Sequence, residues 1–211
     1  MSGKYIEISH PLLNHKLSYL RDKNTDSAQF RRITRDIARL MAYEAFRDWS
    51  DLEEVEIETP LAKTSAQRIK GSPVVVSIMR AGNPFLEACL EMIPFASAGH
   101  IGIYRDKFIN NTVEYYFKLP DNVEGRPIVL CDPLVATGDT MIAALERLEN
   151  YKVGKIKVLS LLVAKKAIER VHHFFPDVEI YALNQEPELT DKGYLVPGLG
   201  DIGDRLFRTC E

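Results

Sequence analysis

The sequence has only three cysteines, Cys89, Cys131 and Cys210, an odd number set far apart. That pattern excludes a disulfide framework and the close pairs of a zinc site, so the cysteines are read as packing residues. Long apolar runs are also missing: the longest, Val158 to Ala164, falls far short of a membrane span. The opening residues, Met1 to Ile8, lack the apolar centre of a signal peptide, and a cytoplasmic protein is expected. Neither sign of charge dominates. With 27 basic and 30 acidic residues and a net charge of −3, the chain has no general pull toward nucleic acid or an anionic membrane. Any anion it binds must therefore be held by a local site. The histidines are scattered. Their one adjacent pair, His172-His173, precedes Phe174-Phe175-Pro176, which reads as a helix end rather than a metal site. No linker-like shift in composition divides the 211 residues, which read as one domain with attached arms.

What is present is an alternating rhythm. From Thr25 to about Trp49, apolar residues at Phe30, Ile33, Ile37, Leu40 and Met41 follow helical spacing, with Thr25 or Asp26 as the cap. Arg31, Arg32, Arg35 and Arg39 on this helix read as a solvated face rather than an RNA-binding stripe. Buried strands are then expected at Val74 to Met79, His100 to Tyr104, Ile128 to Cys131, Ile156 to Val163 and Val178 to Leu183. Helices near Pro84 to Met92, Asp139 to Asn150 and Lys165 to Phe174 separate them. Strands alternating with crossover helices predict an α/β fold, a mostly parallel twisted sheet with helices on both faces. In such sheets ligands bind beyond the carboxyl ends of the strands. Between Asp106 and Lys118, β-forming residues flank Asn110-Asn111, which predicts a projecting hairpin with its turn at the two asparagines. Such a hairpin is a candidate lid, with a sheet extension or a dimer contact as equal alternatives.

The segment Ile128 to Thr140 carries the clearest chemistry. It runs from a buried strand through Asp132, Pro133, Leu134, Val135, Ala136, Thr137, Gly138 and Asp139 to Thr140, and on into a helix. The helix start offers unpaired N–H groups and a positive dipole end, Thr137 and Thr140 add hydroxyl donors, and Gly138 permits close backbone approach. A phosphate monoester suits that cradle, while Asp132 at the strand end can accept hydrogen bonds from sugar hydroxyls. Arg80 and Arg105 each close a strand, so both belong at the same sheet edge, where two permanent positive forks suit a pyrophosphate group. The Gly-Lys loop of nucleotide triphosphatases occurs nowhere in the chain. Gly198-Leu199-Gly200-Asp201-Ile202-Gly203 matches the dinucleotide fingerprint only formally. It follows Pro197 rather than a buried strand, and too little chain remains for the helix and second strand.

The loop Asp132 to Thr140 resembles the phosphoribosyl pyrophosphate (PRPP) loop of type I phosphoribosyltransferases. Asp132-Pro133, in place of two adjacent acids, looks like the uracil-specific branch of that family. Further matches are His10-Pro11-Leu12, Thr59-Pro60-Leu61, Arg80-Ala81-Gly82, Gly99-His100-Ile101-Gly102-Ile103-Tyr104-Arg105, Glu114-Tyr115-Tyr116 and Val196-Pro197-Gly198-Leu199-Gly200-Asp201. The resemblance implies transfer of a phosphoribosyl group from PRPP to uracil, giving UMP and pyrophosphate. It implies catalytic roles for Arg80, Arg105, Asp132 and Asp201, and PRPP contacts from these and from Pro133 through Thr140. Uracil contacts fall on Leu195, Gly200, Asp201 and Ile202, and magnesium arrives with PRPP rather than in a protein-only cage. The implied organisation is a single domain over 1–211: an N-terminal arm and helix at 1–70, a core at 71–175 with the hairpin at 106–118, and a uracil-binding hood at 176–211.

The chain departs from the family pattern in three places. Asp139 stands where glycine is usual, which brings a negative charge near the expected phosphate. Asn83-Pro84 replaces a more flexible pair, and Ile202 replaces a residue that is commonly alanine. A homodimer or higher homo-oligomer is implied, with no nucleic acid or membrane partner. Some relatives respond to GTP, and no residue here decides that. The alternative reading is a non-catalytic or RNA-binding phosphoribosyltransferase-like regulator, but the intact Gly200-Asp201 favours an enzyme.

Overall fold

The computed structural model describes residues 3–106 and 111–209, except the side chains of Arg105, Asp106 and Asn111. In chain order the elements begin with β1 (Lys4–Glu7), α1 (Pro11–Arg21), α2 (Ser27–Ala45), β2 (Leu52–Glu58), β3 (Lys63–Ile69) and β4 (Val74–Met79). Next come α3 (Asn83–Met92), β5 (Ser97–Asp106), β6 (Asn111–Lys118), β7 (Ile128–Cys131), β8 (Leu134–Val135) and α4 (Asp139–Glu149). The chain continues through β9 (Ile156–Ala164), α5 (Lys165–Phe174), β10 (Glu179–Glu186), β11 (Glu188–Leu189), β12 (Leu195–Val196) and α6 (Ile202–Phe207).

The main sheet runs β1-β10-β9-β7-β4-β5-β6, with the short β8 paired beside β9. Every pairing in it is parallel except β5 with β6. β4 and β7 are almost wholly buried, and β9 is buried from Lys157 onward. A strand buried on both sides must be covered on both faces, and the helices form two packed groups, α2 with α3 and α4 with α5. This is the α/β architecture expected from the alternation of strands and helices.

Local chemistry explains the helix bounds. Asp26 caps α2, its carboxylate accepting from the Gln29 N–H at 2.9 Å, and Phe30, Ile33, Ile37 and Met41 form its buried stripe. The arginines of α2 are largely engaged. Arg35 pairs with Glu87, Arg39 pairs with Glu91 and Asp36, and Arg31 donates to the Leu206 carbonyl at 2.7 Å. Solvated pairs of this kind contribute little stability, but they leave no continuous basic stripe. Cys89 and Cys131 are fully buried, as packing residues should be, and Cys210 lies outside the described residues.

Three local expectations need correction. Asn111 is not a turn residue: it pairs with Asp106 as the first residue of β6, so the connection falls at 107–110, outside the described residues. The N-terminal segment is more than an arm and a helix. It supplies β1 to the edge of the main sheet, adds α1, and sends out an exposed antiparallel hairpin, β2–β3, tipped by Leu61 at 95% exposure. The segment grouped with the hood also begins inside the main sheet, because β10 lies between β1 and β9. Short strands at a sheet edge lack strong patterning, since pairing rather than propensity creates them.

Candidate active site

The sheet register brings Arg80, which follows β4, and Asp132, which follows β7, to the same carboxyl edge. Between them lies an open cavity of about 400 Å³. Its walls include Arg80 and Ala81, the loop residues Asp132, Leu134 to Gly138 and Thr140, and Asp201, Ile202 and Gly203 from the C-terminal segment.

The loop is fastened to the sheet before it reaches the cavity. The Asp132 N–H donates to the Leu159 carbonyl at 3.1 Å, the Pro133 carbonyl accepts from Leu161 N–H at 2.9 Å, and β8 pairs with Leu162 and Val163. Burial raises the Asp132 carboxyl to about 7, only partly offset by a hydrogen bond from the Leu134 N–H. Gly138 then takes a left-handed turn at φ +85°, which a side chain would strain, and α4 begins. The first N–H groups of α4, which have no partner within the helix, stand at the cavity wall.

Asp139, the extra acid, does not line the cavity. Its Oδ1 accepts from Arg170 Nη2 of α5 at 2.8 Å, and its Oδ2 accepts from the Thr137 hydroxyl at 2.8 Å. The Thr137 hydroxyl proton is thus directed at Asp139, so Thr140 and the backbone are the donors left for a phosphate.

Arg80 enters into no ion pair among the described residues. Its guanidinium stands over the Phe207 ring at 5.7 Å, with Nη1 3.5 Å from Thr209 Oγ1. The turn behind it needs glycine, because a Cβ on Gly82 would lie 2.3 Å from the Cys131 carbonyl oxygen. The backbone of Arg105 pairs with Thr112 in the β5–β6 ladder. The part of that hairpin past Gly102, where the β4 pairing stops, extends beyond β4 toward the cavity. There Tyr104 and Tyr115 line the cavity with ring centroids 6.0 Å apart, and a Cβ on Gly102 would strike the Tyr115 ring at 2.6 Å.

Opposite stands the segment from β12 to α6. Gly198 has φ +59°, and a Cβ there would lie 2.1 Å from the Leu195 carbonyl oxygen. Glu186, fully buried, accepts from Gly198 N–H at 3.2 Å, from Arg21 at 2.5 Å and from Asn184 at 3.0 Å. Arg21 also donates to the Gly198 carbonyl at 3.0 Å. Burial alone would raise the Glu186 pKa, but these donors hold it below the ordinary carboxylate value. Arg205 ties the same loop to α1 through the Leu20, Asp22 and Leu199 carbonyls. Asp201 caps α6 by accepting from Asp204 N–H at 3.0 Å.

The sequence profile of the uracil phosphoribosyltransferase family matches residues 7–209. The chain belongs to the uracil phosphoribosyltransferase family. A uracil phosphoribosyltransferase of Geobacillus kaustophilus is 46% identical over 98% of this chain and 99% of its own length. One from Finegoldia magna is 47% identical with the same coverage. The solved AQ2163 protein of Aquifex aeolicus superposes with a TM-score of 0.91 at 35% identity, covering 97% of this chain and 98% of that one. Adenine phosphoribosyltransferase from Leishmania donovani shares the fold, with a TM-score of 0.58 at 13% identity.

Among the residues singled out in the sequence, Arg80, Asp132, Leu134 to Gly138, Thr140, Asp201 and Ile202 meet at this cavity. Pro133, Asp139, Leu195 and Gly200 do not line it, and the Arg105 side chain lies outside the described residues. Sequence reasoning assigned no role to Tyr104 and Tyr115, although both lie within quoted motifs on a candidate hairpin. It also missed Arg21, Glu186 and Arg170, which act through contacts between distant segments. Among the described residues no cluster of three or more His, Cys, Asp or Glu is placed to hold a metal ion. A larger depression of about 590 Å³, lined by residues such as Lys4, His10, Tyr43 and Arg47, shares no residue with this cavity. Its Arg47 is paired with Glu44.

Proposed function

We propose that the protein transfers a phosphoribosyl group from PRPP to uracil, releasing pyrophosphate and forming UMP. The observation that carries this reading is the cavity itself, where the start of α4, the buried Asp132 and Arg80, which has no ion pair among the described residues, converge. The 5′-phosphate would sit on the Thr137 to Thr140 turn, held by backbone N–H groups and Thr140. Asp132 would accept from the ribose hydroxyls. PRPP would then add polar partners to the Leu134 N–H that its buried carboxylate already has.

The pyrophosphate end would lie against Arg80, joined by Arg105 from the neighbouring strand. As the bond from the sugar carbon to pyrophosphate lengthens, negative charge grows on the departing oxygens. Fixed donors aimed there contribute about 3 kcal/mol each in a water-poor site. Two cavity-lining carboxylates, Asp132 and Asp201, are too few to cage a metal alone but suit a magnesium ion that keeps water and phosphate ligands. Bound with PRPP, magnesium would neutralise charge on the pyrophosphate.

Uracil presents acceptor, donor and acceptor along one edge, and cytosine changes two of these. Backbone groups of the 195–202 segment, held by Glu186, Arg21 and Arg205, suit such an edge, and a mismatch leaving buried groups unpaired discriminates by ~10⁴. Ile202 would form an apolar wall of the base pocket. Tyr104 and Tyr115 would close over the sugar and limit capture by water.

The reading extends to a cytoplasmic homo-oligomer. The described helices include none long and apolar enough to cross a membrane. Analytical ultracentrifugation tests the assembly, and running the assay with and without GTP tests the effector. The deciding experiment mixes protein, magnesium and PRPP with uracil, cytosine, hypoxanthine or orotate and follows pyrophosphate release. UMP formed from uracil alone, and lost in Arg80→Ala, is the expected result. No turnover with any base would overturn the reading.

A further inference from the structure

An acid as the first residue of a helix that must receive a phosphate is a contradiction. A carboxylate at that position is itself attracted to the positive helix end, and it repels an incoming anion. The structure resolves the conflict from outside the loop. Arg170 projects from α5, which already lies against the turn: a Cβ on Gly138 would contact Ala167 at 3.6 Å. The Arg170 guanidinium acts as a fork. Nη1 donates to the Thr137 carbonyl, and Nη2 donates to Asp139 Oδ1 at 2.8 Å. The other carboxylate oxygen of Asp139 takes the Thr137 hydroxyl at 2.8 Å. Both oxygens are therefore engaged, and Asp139 itself does not line the cavity, whereas Thr137, Gly138 and Thr140 do.

We infer that Arg170 is a positioning residue for the substrate phosphate: it holds and neutralises the Asp139 carboxylate so that the α4 turn stays open to the phosphate monoester of PRPP. The inference rests on the proposed role of the loop at 132–140. Arg170 touches no substrate in this account, and its effect passes through Asp139 and the Thr137 carbonyl. With Arg170 removed, the carboxylate loses its guanidinium partner, and the negative charge that Arg170 had balanced weighs against a phosphate at the start of α4. The loss then falls on PRPP binding rather than on uracil binding or on folding, because the Arg170 side chain is 47% exposed and buries little.

The test measures KM for PRPP and for uracil, kcat and the melting temperature in Arg170→Ala, Arg170→Lys, Arg170→Ala with Asp139→Asn, and Thr140→Ala. Arg170→Ala is expected to raise the PRPP KM roughly tenfold, as a like charge placed beside a bound anion does, with uracil KM nearly unchanged. Arg170→Lys keeps the charge without the fork and should fall between the wild type and alanine. Adding Asp139→Asn to Arg170→Ala should recover most of the loss, which a merely structural arginine would not allow. The inference is overturned if Thr140→Ala raises the PRPP KM while Arg170→Ala does not, or if neutralising Asp139 recovers nothing. If Thr140→Ala also leaves the PRPP KM unchanged, the reading of the loop falls and the inference falls with it. Should Arg170→Ala fail to fold, Arg170→Lys with and without Asp139→Asn carries the same comparison.

Discussion

The two walls of the cavity are built in different ways. The proposed phosphate wall, the loop from Asp132 to Thr140, is contiguous in sequence and grows out of a buried strand into a helix, so its shape follows from neighbouring backbone hydrogen bonds. The proposed base wall, the 195–202 segment that reaches the cavity through Asp201 and Ile202, begins with the two-residue strand β12, paired with the equally short β11. It is held by side chains from elsewhere, including Arg21, 177 residues from the Gly198 carbonyl it binds. The first wall depends on secondary structure, and the second depends on a buried polar network. Such networks are fully formed or costly, because an unpaired buried charge loses water without gaining a partner.

The walls should therefore fail differently. The largest effect is expected where both meet, at Arg80, which reaches from β4 toward α6. Arg80→Ala should lower kcat by about 10²–10³ with little change in melting temperature, since an exposed arginine adds little stability but donates where charge develops. A comparable kcat in steady-state assays would remove Arg80 from the reaction. Next comes the base wall alone. Glu186→Ala should destabilise the protein by about 3 kcal/mol by leaving Arg21 half-buried without its partner. The loosened loop should raise uracil KM roughly tenfold, whereas PRPP KM should hold. Denaturant melts and paired KM measurements separate these, and an equal rise in both KM values would erase the distinction between the walls. Because the Glu186 pKa is depressed in the fold, its contribution is present above the ordinary glutamate value and is lost as pH falls through the folded one.

The phosphate wall shows the opposite sign. Asp132 titrates at about 7 in the fold against an ordinary 3.8, so its contribution to stability is full below 3.8 and is lost as pH rises to 7. Asp132→Asn removes that penalty. It should melt a few degrees above the wild type at pH 8 and near it at pH 4, and calorimetry at both pH values checks this. An advantage independent of pH would contradict the burial of an ionising group. The smallest effect belongs to Ile202→Ala, which should raise uracil KM by a factor equivalent to about 1 kcal/mol through lost apolar contact. An unchanged KM would take Ile202 out of the base pocket.

These differences follow how much of each wall was legible in the sequence. The strand at Ile128 to Cys131 and the helix near Asp139 to Asn150 could be read because apolar periodicity and one glycine mark them locally, whereas the two-residue β8 between them could not. Arg80 could be placed at the same edge because parallel strands separated by helices align their ends. Nothing local revealed that Glu186 reads Gly198 or that Asp139 turns toward Arg170. Glu186 follows the polar Asn184-Gln185 at the end of a strand and looks like a solvated strand end, and Arg170 looks like one more solvated charge on an amphipathic helix. The β2–β3 hairpin and β1 escaped for another reason: β1 has four residues at the sheet edge, and the hairpin is mostly polar and exposed.

The sequence by itself determined the α/β class, the positions of its buried strands and the strand-turn-helix unit around 132–140, since each depends on residues close along the chain. Its motifs also carried the family resemblance. Only the tertiary structure decided which charges are neutralised and which remain available. A charge is set by its nearest partner in space, and for Asp139 that partner is an arginine two elements further along the chain.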